Sequence, residues 1–288
     1  MRRIFQDDSL QQRIDREGYV VIPFLDPEEV DDLRTVYADM SAADRPEEFY
    51  LSIWSDDVEY KQRSHERIVS VIREKAASTF DRYKHVVSNF AVKHPGQESA
   101  FGLHQGVNFT DERQFISITM WIPLQDVDAR NGNMQVVPGS HRFFDQRVRS
   151  QNYPPPYEAI KDYITENHMV DLPMKAGEAW IFNHRLLHCS PINRTDQSRI
   201  ATLNVMMPEE APVLLYYKPQ DRYQDGTEVE VLEFTQGNYH LQSVHGKPNV
   251  PGLVSRGLDE EVHYRVTEKE FDRMVTEYQS RSKTSVTS

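Results

Sequence analysis

The sequence predicts a mainly β protein with helices at its N-terminus, and more specifically a double-stranded β-helix, or jelly roll. Two observations lead to this fold class. Short apolar segments separated by glycine and proline turns occupy residues 86–208, a pattern that is typical of sandwiches and barrels. Polar segments with helical spacing are concentrated before residue 85. We therefore expect the helices to form an outer layer on the β-structure.

The N-terminal region has the pattern of a helix, a strand and a second helix. Residues 8–17 predict a polar helix, and the apolar segment YVVIPF after Gly18 predicts a strand. Asp26 and Pro27 predict the start of the next helix, because aspartate is a preferred N-cap and proline is favoured at the first helical position. Apolar residues at helical spacing predict a further helix over 65–84.

The β-rich half begins with an alternating segment over 115–124. Ile116, Ile118, Met120 and Ile122 alternate with other residues, which predicts a strand with one apolar face. Further strands are expected in MQVVP, in AWIFNH and in RIATLNVMMP. The segment 142–170 contains three consecutive prolines and a helical pattern, and we expect it and the region after residue 208 to cover the functional site. A single domain is expected over 1–278, followed by a disordered polar tail over 279–288.

Composition excludes several classes of function. The chain has 45 acidic residues against 33 Lys and Arg, for a net charge of -12, whereas nucleic acids and anionic membranes require a basic face. No apolar segment reaches the length of a membrane span, and the N-terminus lacks the pattern of a signal peptide. One cysteine excludes an internal disulfide. We expect a cytoplasmic protein whose partner is a small-molecule substrate, with a carrier protein or a homo-oligomer left open.

Two of the eleven histidines have a distinctive context. His104 lies in GLHQG, His188 lies in LLHCS, and Arg199 begins the next predicted strand. Neutral imidazole binds iron, copper, nickel and zinc, and a guanidinium pairs with a carboxylate through two parallel hydrogen bonds. Spacing alone does not assign these roles, because a histidine beside an apolar segment is more often a hydrogen-bonded core residue. His184 and His141 are expected not to be metal ligands.

Several collinear segments carry a family resemblance over residues 18–208, namely GYVVIPFLDPEEV, VKHPG, LHQG, WIPLQDVDARNGNMQVVPGSHR, MKAGEAWIF and RLLHCSPINRTDQSR. They resemble the phytanoyl-CoA dioxygenase family of Fe(II)- and 2-oxoglutarate-dependent oxygenases. The resemblance implies that His104 and His188 are metal ligands and that Arg199 anchors the far carboxylate of 2-oxoglutarate. It also implies that Ser190 assists this arginine and that Trp121 forms an aromatic wall. Lys93 is a further candidate for the lining of the cosubstrate site.

One position departs from the family pattern. The pattern is His-x-Asp, and this chain has His104-Gln105-Gly106. On a strand, residues i and i+2 face the same side, so the aspartate would normally join the histidine on the metal. Related iron halogenases have glycine or alanine here and bind chloride instead. The resemblance therefore predicts a halogenase that uses Fe(II), 2-oxoglutarate, O2 and chloride, with Gly106 as a site residue and an amino acid or nucleotide as substrate.

Other interpretations of Gly106 stay open at this point. Glycine in a strand also marks a bulge or a close backbone approach. The chain could be a hydroxylase that has lost its aspartate, naturally or by engineering, or Asp111 or Glu112 could supply the carboxylate. A non-catalytic jelly-roll binding protein is a third reading.

Overall fold

A computed structural model describes residues 2–40, 48–144, 149–150, 154–218, 228–241, 247–261 and 263–284. The helices are α1 (Asp8–Glu17), α2 (Pro27–Met40), α3 (Val58–Thr79), α4 (Lys161–Asn167) and α5 (Glu268–Thr284). The strands are β1 (Tyr19–Pro23), β2 (Phe49–Leu51), β3 (Tyr83–Lys93), β4 (Phe101–His104), β5 (Ile118–Pro123), β6 (Met134–Val136), β7 (Val170–Leu172), β8 (Glu178–Asn183), β9 (His188–Ser190), β10 (Arg199–Pro208), β11 (Leu214–Tyr217), β12 (Glu228–Phe234) and β13 (Leu253–Glu260). None of these helices is long and apolar enough to cross a membrane.

The strands form two facing antiparallel sheets and a smaller third sheet. The major sheet has the order β1-β8-β5-β10-β3-β2, and the minor sheet has the order β4-β9-β6-β7. From β4 to β10 the chain passes repeatedly between these two sheets, which is the winding of a jelly roll. The predicted fold class is therefore confirmed. The third sheet, β11-β12-β13, follows the jelly roll in the chain.

The major sheet is covered on both faces. Ile118, Met120 and Ile122 of β5 belong to a core cluster with residues of α1, α2 and α3. Trp121, on the opposite face of β5, packs with Trp180 and other residues between the two sheets. The alternation in the sequence therefore predicts two different environments, a helix-covered outer face and the interior of the jelly roll.

Helix boundaries follow their capping residues. The Asp26 carboxylate accepts a hydrogen bond from the Glu29 N–H, and the Glu29 carboxylate accepts one from the Asp26 N–H, so α2 begins with a capping box. The helix expected over 65–84 instead spans Val58–Thr79, because Asp57 caps it and β3 already begins at Tyr83. The boundary prediction was wrong at both ends.

The C-terminal segment corrects another expectation. Helix α5 continues to Thr284, so residues 279–284 are helical rather than disordered, and 285–288 lie outside the described residues. The Ser280 hydroxyl donates to the Thr276 carbonyl, and the Tyr278 hydroxyl donates to the Glu17 carboxylate. The first contact lies within α5, and the second ties the polar end of α5 to α1.

Gly18 joins α1 to β1 and allows a stability prediction. It has φ +85°, its N–H donates to the Ile14 carbonyl, and an added Cβ would lie 2.5 Å from Nδ1 of His141. We expect Gly18→Ala to lower the free energy of unfolding by at least about 2 kcal/mol, since left-handed backbone and steric overlap both oppose the methyl group. Chemical denaturation measures this change. Gly102→Ala is the matched control, because an added Cβ there has no atom within 4 Å; equal losses in the two variants would contradict the explanation.

Candidate functional site

The two singled-out histidines meet at the mouth of the jelly roll. His104 is the last residue of β4 and His188 the first residue of β9, and they are direct partners in the antiparallel pairing of these strands. Their ring centroids lie 4.0 Å apart. His188 is buried and His104 is half-buried. Residues that are distant in sequence thus face the same small volume.

Both imidazoles are oriented by backbone carbonyls. Nδ1 of His104 donates to the Gly102 carbonyl at 2.8 Å, and Nδ1 of His188 donates to the Leu186 carbonyl at 2.9 Å. Burial lowers the pKa of His104 to about 4 and lowers that of His188 well below its usual value. Both rings are therefore neutral at pH 7, with Nδ1 protonated and the Nε2 lone pair left for a metal ion.

Gly106 follows the first histidine in a loop rather than in the strand, since β4 ends at His104. The Gly106 N–H donates to the His184 carbonyl at 2.8 Å. An added Cβ would lie 3.0 Å from Cγ of His184. A side chain at this position therefore needs a shift of a few tenths of an ångström in a buried ring.

The alternative carboxylates are engaged elsewhere. Asp111 accepts hydrogen bonds from the Arg113 guanidinium at 2.7 and 2.8 Å, and Glu112 accepts one from Arg149 at 2.7 Å. In the described part of the chain, no group of three or more His, Cys, Asp or Glu side chains is arranged to hold a metal ion. The two histidines accordingly stand as a pair.

Arg199 is a buried cation at the start of β10. It is 2 % exposed, and its NH1 donates to the Gly132 carbonyl at 2.6 Å and to the Ser190 hydroxyl at 3.1 Å. Among the described residues its buried Nε has no hydrogen-bond partner. Within the described residues no carboxylate pairs with it, and burial lowers the pKa of Arg199 to about 9. A buried guanidinium without a counter-ion is a site for an anion.

The Arg199 guanidinium is surrounded by Trp121, Ser190 and Gly132. The guanidinium carbon lies 5.2 Å from the Trp121 ring centroid, at cation–π distance. The Ser190 hydroxyl donates to the Gly132 carbonyl at 2.9 Å and so holds the same carbonyl as the arginine. Gly132 has φ +76° and its added Cβ would lie 2.5 Å from the Pro191 carbonyl oxygen, so only glycine suits the position. Its role as acceptor was missed in the sequence, where Asn131-Gly132 signals only a turn.

Lys93 lies opposite Arg199 in the pairing of β3 with β10. Its ammonium is buried and donates to the Ser190 and Pro191 carbonyls. Burial and the charge of Arg199 lower the pKa of Lys93 to about 6. The predicted lining residues Arg199, Ser190, Trp121 and Lys93 are thus adjacent to one another, and Ser190 links them to His188 on β9.

His184, His141 and the single cysteine make contacts that stabilise the fold and do not face the paired histidines as ligands. His184 lies in the turn between β8 and β9, with Nε2 2.7 Å from the Thr119 hydroxyl and Nδ1 3.2 Å from the Val107 carbonyl. The strand expected over AWIFNH therefore ends one residue early, and His184 lies outside it. His141 is buried and its Nε2 donates to the Asp15 carbonyl. Cys189 is buried in an apolar cluster, and burial raises its pKa to about 11.

The arrangement fits the groups that the family pattern implies. Two neutral imidazoles with open Nε2 atoms suit Fe(II). The unpaired Arg199 suits the far carboxylate of 2-oxoglutarate, with Trp121 and Ser190 beside it. The donor set includes no carboxylate, so the residues leave more metal positions open than a two-histidine, one-carboxylate triad does.

Fold and site together define a jelly-roll protein with a paired-histidine centre and a buried arginine. The model of the phytanoyl-CoA dioxygenase (PhyH) family matches residues 14–201. The chain belongs to this family, a family of enzymes.

Peroxisomal phytanoyl-CoA dioxygenase of Rattus norvegicus is 26% identical over 148 residues, covering 49% of this chain and 42% of the rat protein. The Bos taurus protein is 25% identical over 150 residues, covering 49% and 43%. The chain thus aligns with less than half the length of these relatives.

Solved structures share the fold. The non-heme alpha ketoglutarate dependent carbocyclase SnoK from nogalamycin biosynthesis has a TM-score of 0.53 and 21% identity, covering 72% of this chain and 86% of its own. The epimerase SnoN from the same biosynthesis has a TM-score of 0.50 and 22% identity, covering 72% and 84%. At this identity the likeness concerns the fold, and the predicted family and fold class are both confirmed.

Proposed function

We propose that this protein is an Fe(II)- and 2-oxoglutarate-dependent halogenase that chlorinates an unactivated carbon of a small metabolite. The observation that carries the proposal is Gly106, which stands where the family pattern has a metal-binding carboxylate. Asp111 and Glu112 are both held by arginines. No described carboxylate replaces the missing one.

Charge supports a halide at this position. His104 and His188 are neutral, so they do not reduce the charge of a divalent ion that they hold. An aspartate would have cancelled one unit of that charge. A small anion such as chloride restores the balance in a partly buried site, where an uncompensated charge is costly.

The chain's own residues have distinct roles in this proposal. His104 and His188 would hold the metal through Nε2, with the Gly102 and Leu186 carbonyls fixing the ring orientation. Fe(II) with 2-oxoglutarate and O2 supplies the oxidising power to remove a hydrogen atom from carbon, and chloride supplies the transferred atom. Arg199 would bind the far carboxylate of 2-oxoglutarate, because its guanidinium is buried and has no counter-ion among the residues that the structure describes.

Hydroxylation is the second candidate, and the family match favours it because the curated relatives are named dioxygenases. The two candidates differ in one requirement. A hydroxylase does not need a halide, whereas a halogenase gives no chlorinated product without one.

The test is a product assay with and without chloride. The protein is reconstituted anaerobically with Fe(II), 2-oxoglutarate and a panel of amino acids and nucleotides, oxygen is admitted, and products are read by mass spectrometry. We expect a product with the chlorine isotope pattern that disappears without chloride and becomes brominated when bromide replaces it. An oxygenated product at every chloride concentration would establish the hydroxylase. Failure to bind Fe(II) and 2-oxoglutarate would contradict both enzymes and favour a binding protein.

A further inference from the structure

The backbone on either side of Gly106 is held by two separate hydrogen bonds. The Gly106 N–H donates to the His184 carbonyl at 2.8 Å, and the Gly106 carbonyl accepts from Nε of Arg149 at 2.8 Å. The N–H belongs to the peptide group before the α-carbon and the carbonyl to the peptide group after it, so both peptide planes are attached. Glycine has freer backbone dihedrals than any other residue type, and here both of them are restrained.

The same two partners hold the residues that follow. Nδ1 of His184 donates to the Val107 carbonyl at 3.2 Å. The backbone N–H of Arg149 donates to Oδ1 of Asn108 at 2.5 Å, and the Asn108 N–H donates to the Arg149 carbonyl at 3.3 Å. Residues 106–108, which we call the Gly106 loop, are therefore attached to His184 on one side and to Arg149 on the other.

Arg149 is itself fixed by a buried ion pair. Its NH2 donates to Oε1 of Glu112 at 2.7 Å, and the two side chains are each only 6% exposed. A hydrogen bond from a charged donor is stronger than one between neutral groups, and burial keeps away the water that would compete for the Gly106 carbonyl. Glu112 is thus the counter-ion that makes it possible to bury a guanidinium beside the Gly106 loop.

The Gly106 loop needs such attachments because its residue 106 cannot bind a metal ion. An aspartate at this position, as in the family pattern, would attach the loop to the ion through its carboxylate. A glycine segment without that attachment is free to move toward the space that the absent side chain leaves. The hydrogen bonds to His184 and Arg149 are then what gives the loop a single conformation.

We infer that Arg149, with Glu112 as its counter-ion, is a positioning residue that holds the Gly106 loop in the conformation that leaves the metal position for chloride open. The inference rests on the proposed function and concerns the same position. Only loop conformations that leave this position open bind the halide, so the apparent dissociation constant for chloride rises as their population falls. Loss of a hydrogen bond from a charged donor shifts such a population about tenfold or more.

The test variant removes both charges of the ion pair. Replacing Arg149 alone would leave Glu112 buried without a partner, whereas the double variant Arg149→Met, Glu112→Gln leaves two neutral side chains of similar size. Lys84→Met is the matched control. Lys84 is also a cation that donates to backbone carbonyls, those of Glu209 and Ala211, but it lies at the opposite end of β3 from the candidate site.

Amide hydrogen exchange, followed by NMR on the full chain before metal is added, measures the loop without turnover. In the wild type we expect the Gly106 amide to exchange at least about a hundredfold more slowly than in an unstructured chain. In the double variant its exchange should become at least about tenfold faster, while the amides of β5 keep their rates. Equal acceleration in β5 would mean a general loss of stability and would contradict the positioning role.

The wild-type measurement decides even if the double variant fails to fold. A Gly106 amide that exchanges in the wild type as fast as in an unstructured chain would show that the loop is not held, and would overturn the inference. The Lys84→Met control should leave the exchange of Gly106 unchanged.

Chloride affinity is the second readout. Co(II) replaces Fe(II), 2-oxoglutarate is added, and chloride is titrated while the visible absorption of the cobalt is followed. We expect the double variant to bind chloride at least about tenfold more weakly, and in the product assay to raise KM for chloride while kcat at saturating chloride is retained. Lys84→Met should match the wild type. Wild-type chloride affinity in the double variant would overturn the inference. A wild type that does not respond to chloride would instead contradict the halogenase proposal, so the two failures are distinguishable.

Discussion

Replacing Arg199 with methionine is expected to weaken 2-oxoglutarate binding by at least about thirtyfold without destabilising the free protein. The guanidinium is buried, and in the described part of the chain its Nε has no hydrogen-bond partner and no carboxylate pairs with it. Removing one partner of a buried charge pair costs about 2–5 kcal/mol of binding free energy, which corresponds to about thirtyfold to several thousandfold in affinity.

Most substitutions of buried residues lower the free energy of unfolding, and Arg199→Met is expected not to lower it. In the free protein the charge of Arg199 is costly, because it is buried without a carboxylate partner among the described residues. The same burial lowers the pKa of Arg199 to about 9. Methionine fills a similar volume and removes this uncompensated charge, and such replacements are often neutral or stabilising. We therefore expect a free energy of unfolding equal to or above that of the wild type, measured without 2-oxoglutarate.

Two titrations and one control check this result. Isothermal titration calorimetry gives the affinity for 2-oxoglutarate in the presence of a divalent metal, and urea denaturation gives the stability. Arg194→Met is the control, because Arg194 is an exposed arginine shortly before β10. If Arg199→Met retained wild-type affinity for 2-oxoglutarate, Arg199 would not be the carboxylate anchor.

Local chemistry in the sequence was enough to predict some of the helices and strands. The Asp26-Pro27 start of α2 and the alternation of β5 follow from capping and from the two-residue repeat of a strand, and both agree with the structure. The start of α3 was misplaced, because the Asp57 cap lies in a polar segment with no clear periodicity. The helical end of α5 was missed, because its contacts to α1 are distant in sequence.

Prediction of the candidate site is harder, because it requires knowing which strands pair although they are distant in sequence. The contact between His104 and His188 requires β4 and β9 to be neighbours, and nothing in the two local sequences states this. The family resemblance supplied the pair, and the structure brings the two rings together. The hydrogen bonds of the Gly132 carbonyl and of the Arg149–Glu112 pair were not predicted, because they form where loops from separate parts of the chain meet.

Gly106→Asp should remove the use of chloride by this protein. If the halogenase proposal is right, the open position beside His104 is where the anion binds, and an aspartate carboxylate at residue 106, as in the family pattern, would take that position and cancel one unit of metal charge. We expect the chlorinated product to be lost, and the affinity for Fe(II) in chloride-free buffer to rise as a third ligand is added.

The experiment must separate the steric effect of a side chain at residue 106 from the effect of its carboxylate as a metal ligand. An added Cβ at residue 106 would lie 3.0 Å from Cγ of His184, whose ring is held between Thr119 and the Val107 carbonyl. Gly106→Ala introduces the same contact without a carboxylate, so it is the matched control for folding and for the shift of His184. It should keep chloride-dependent chlorination and the wild-type affinity for Fe(II).

The pair of variants gives a clear decision on Gly106. Loss of chlorination in Gly106→Asp but not in Gly106→Ala would mean that the carboxylate competes with the halide for one position. Equal loss in both would assign the effect to the displaced His184 and not to coordination. Undiminished chlorination in Gly106→Asp would exclude this position as the chloride site, because a carboxylate and a chloride cannot occupy the same coordination position of one metal ion.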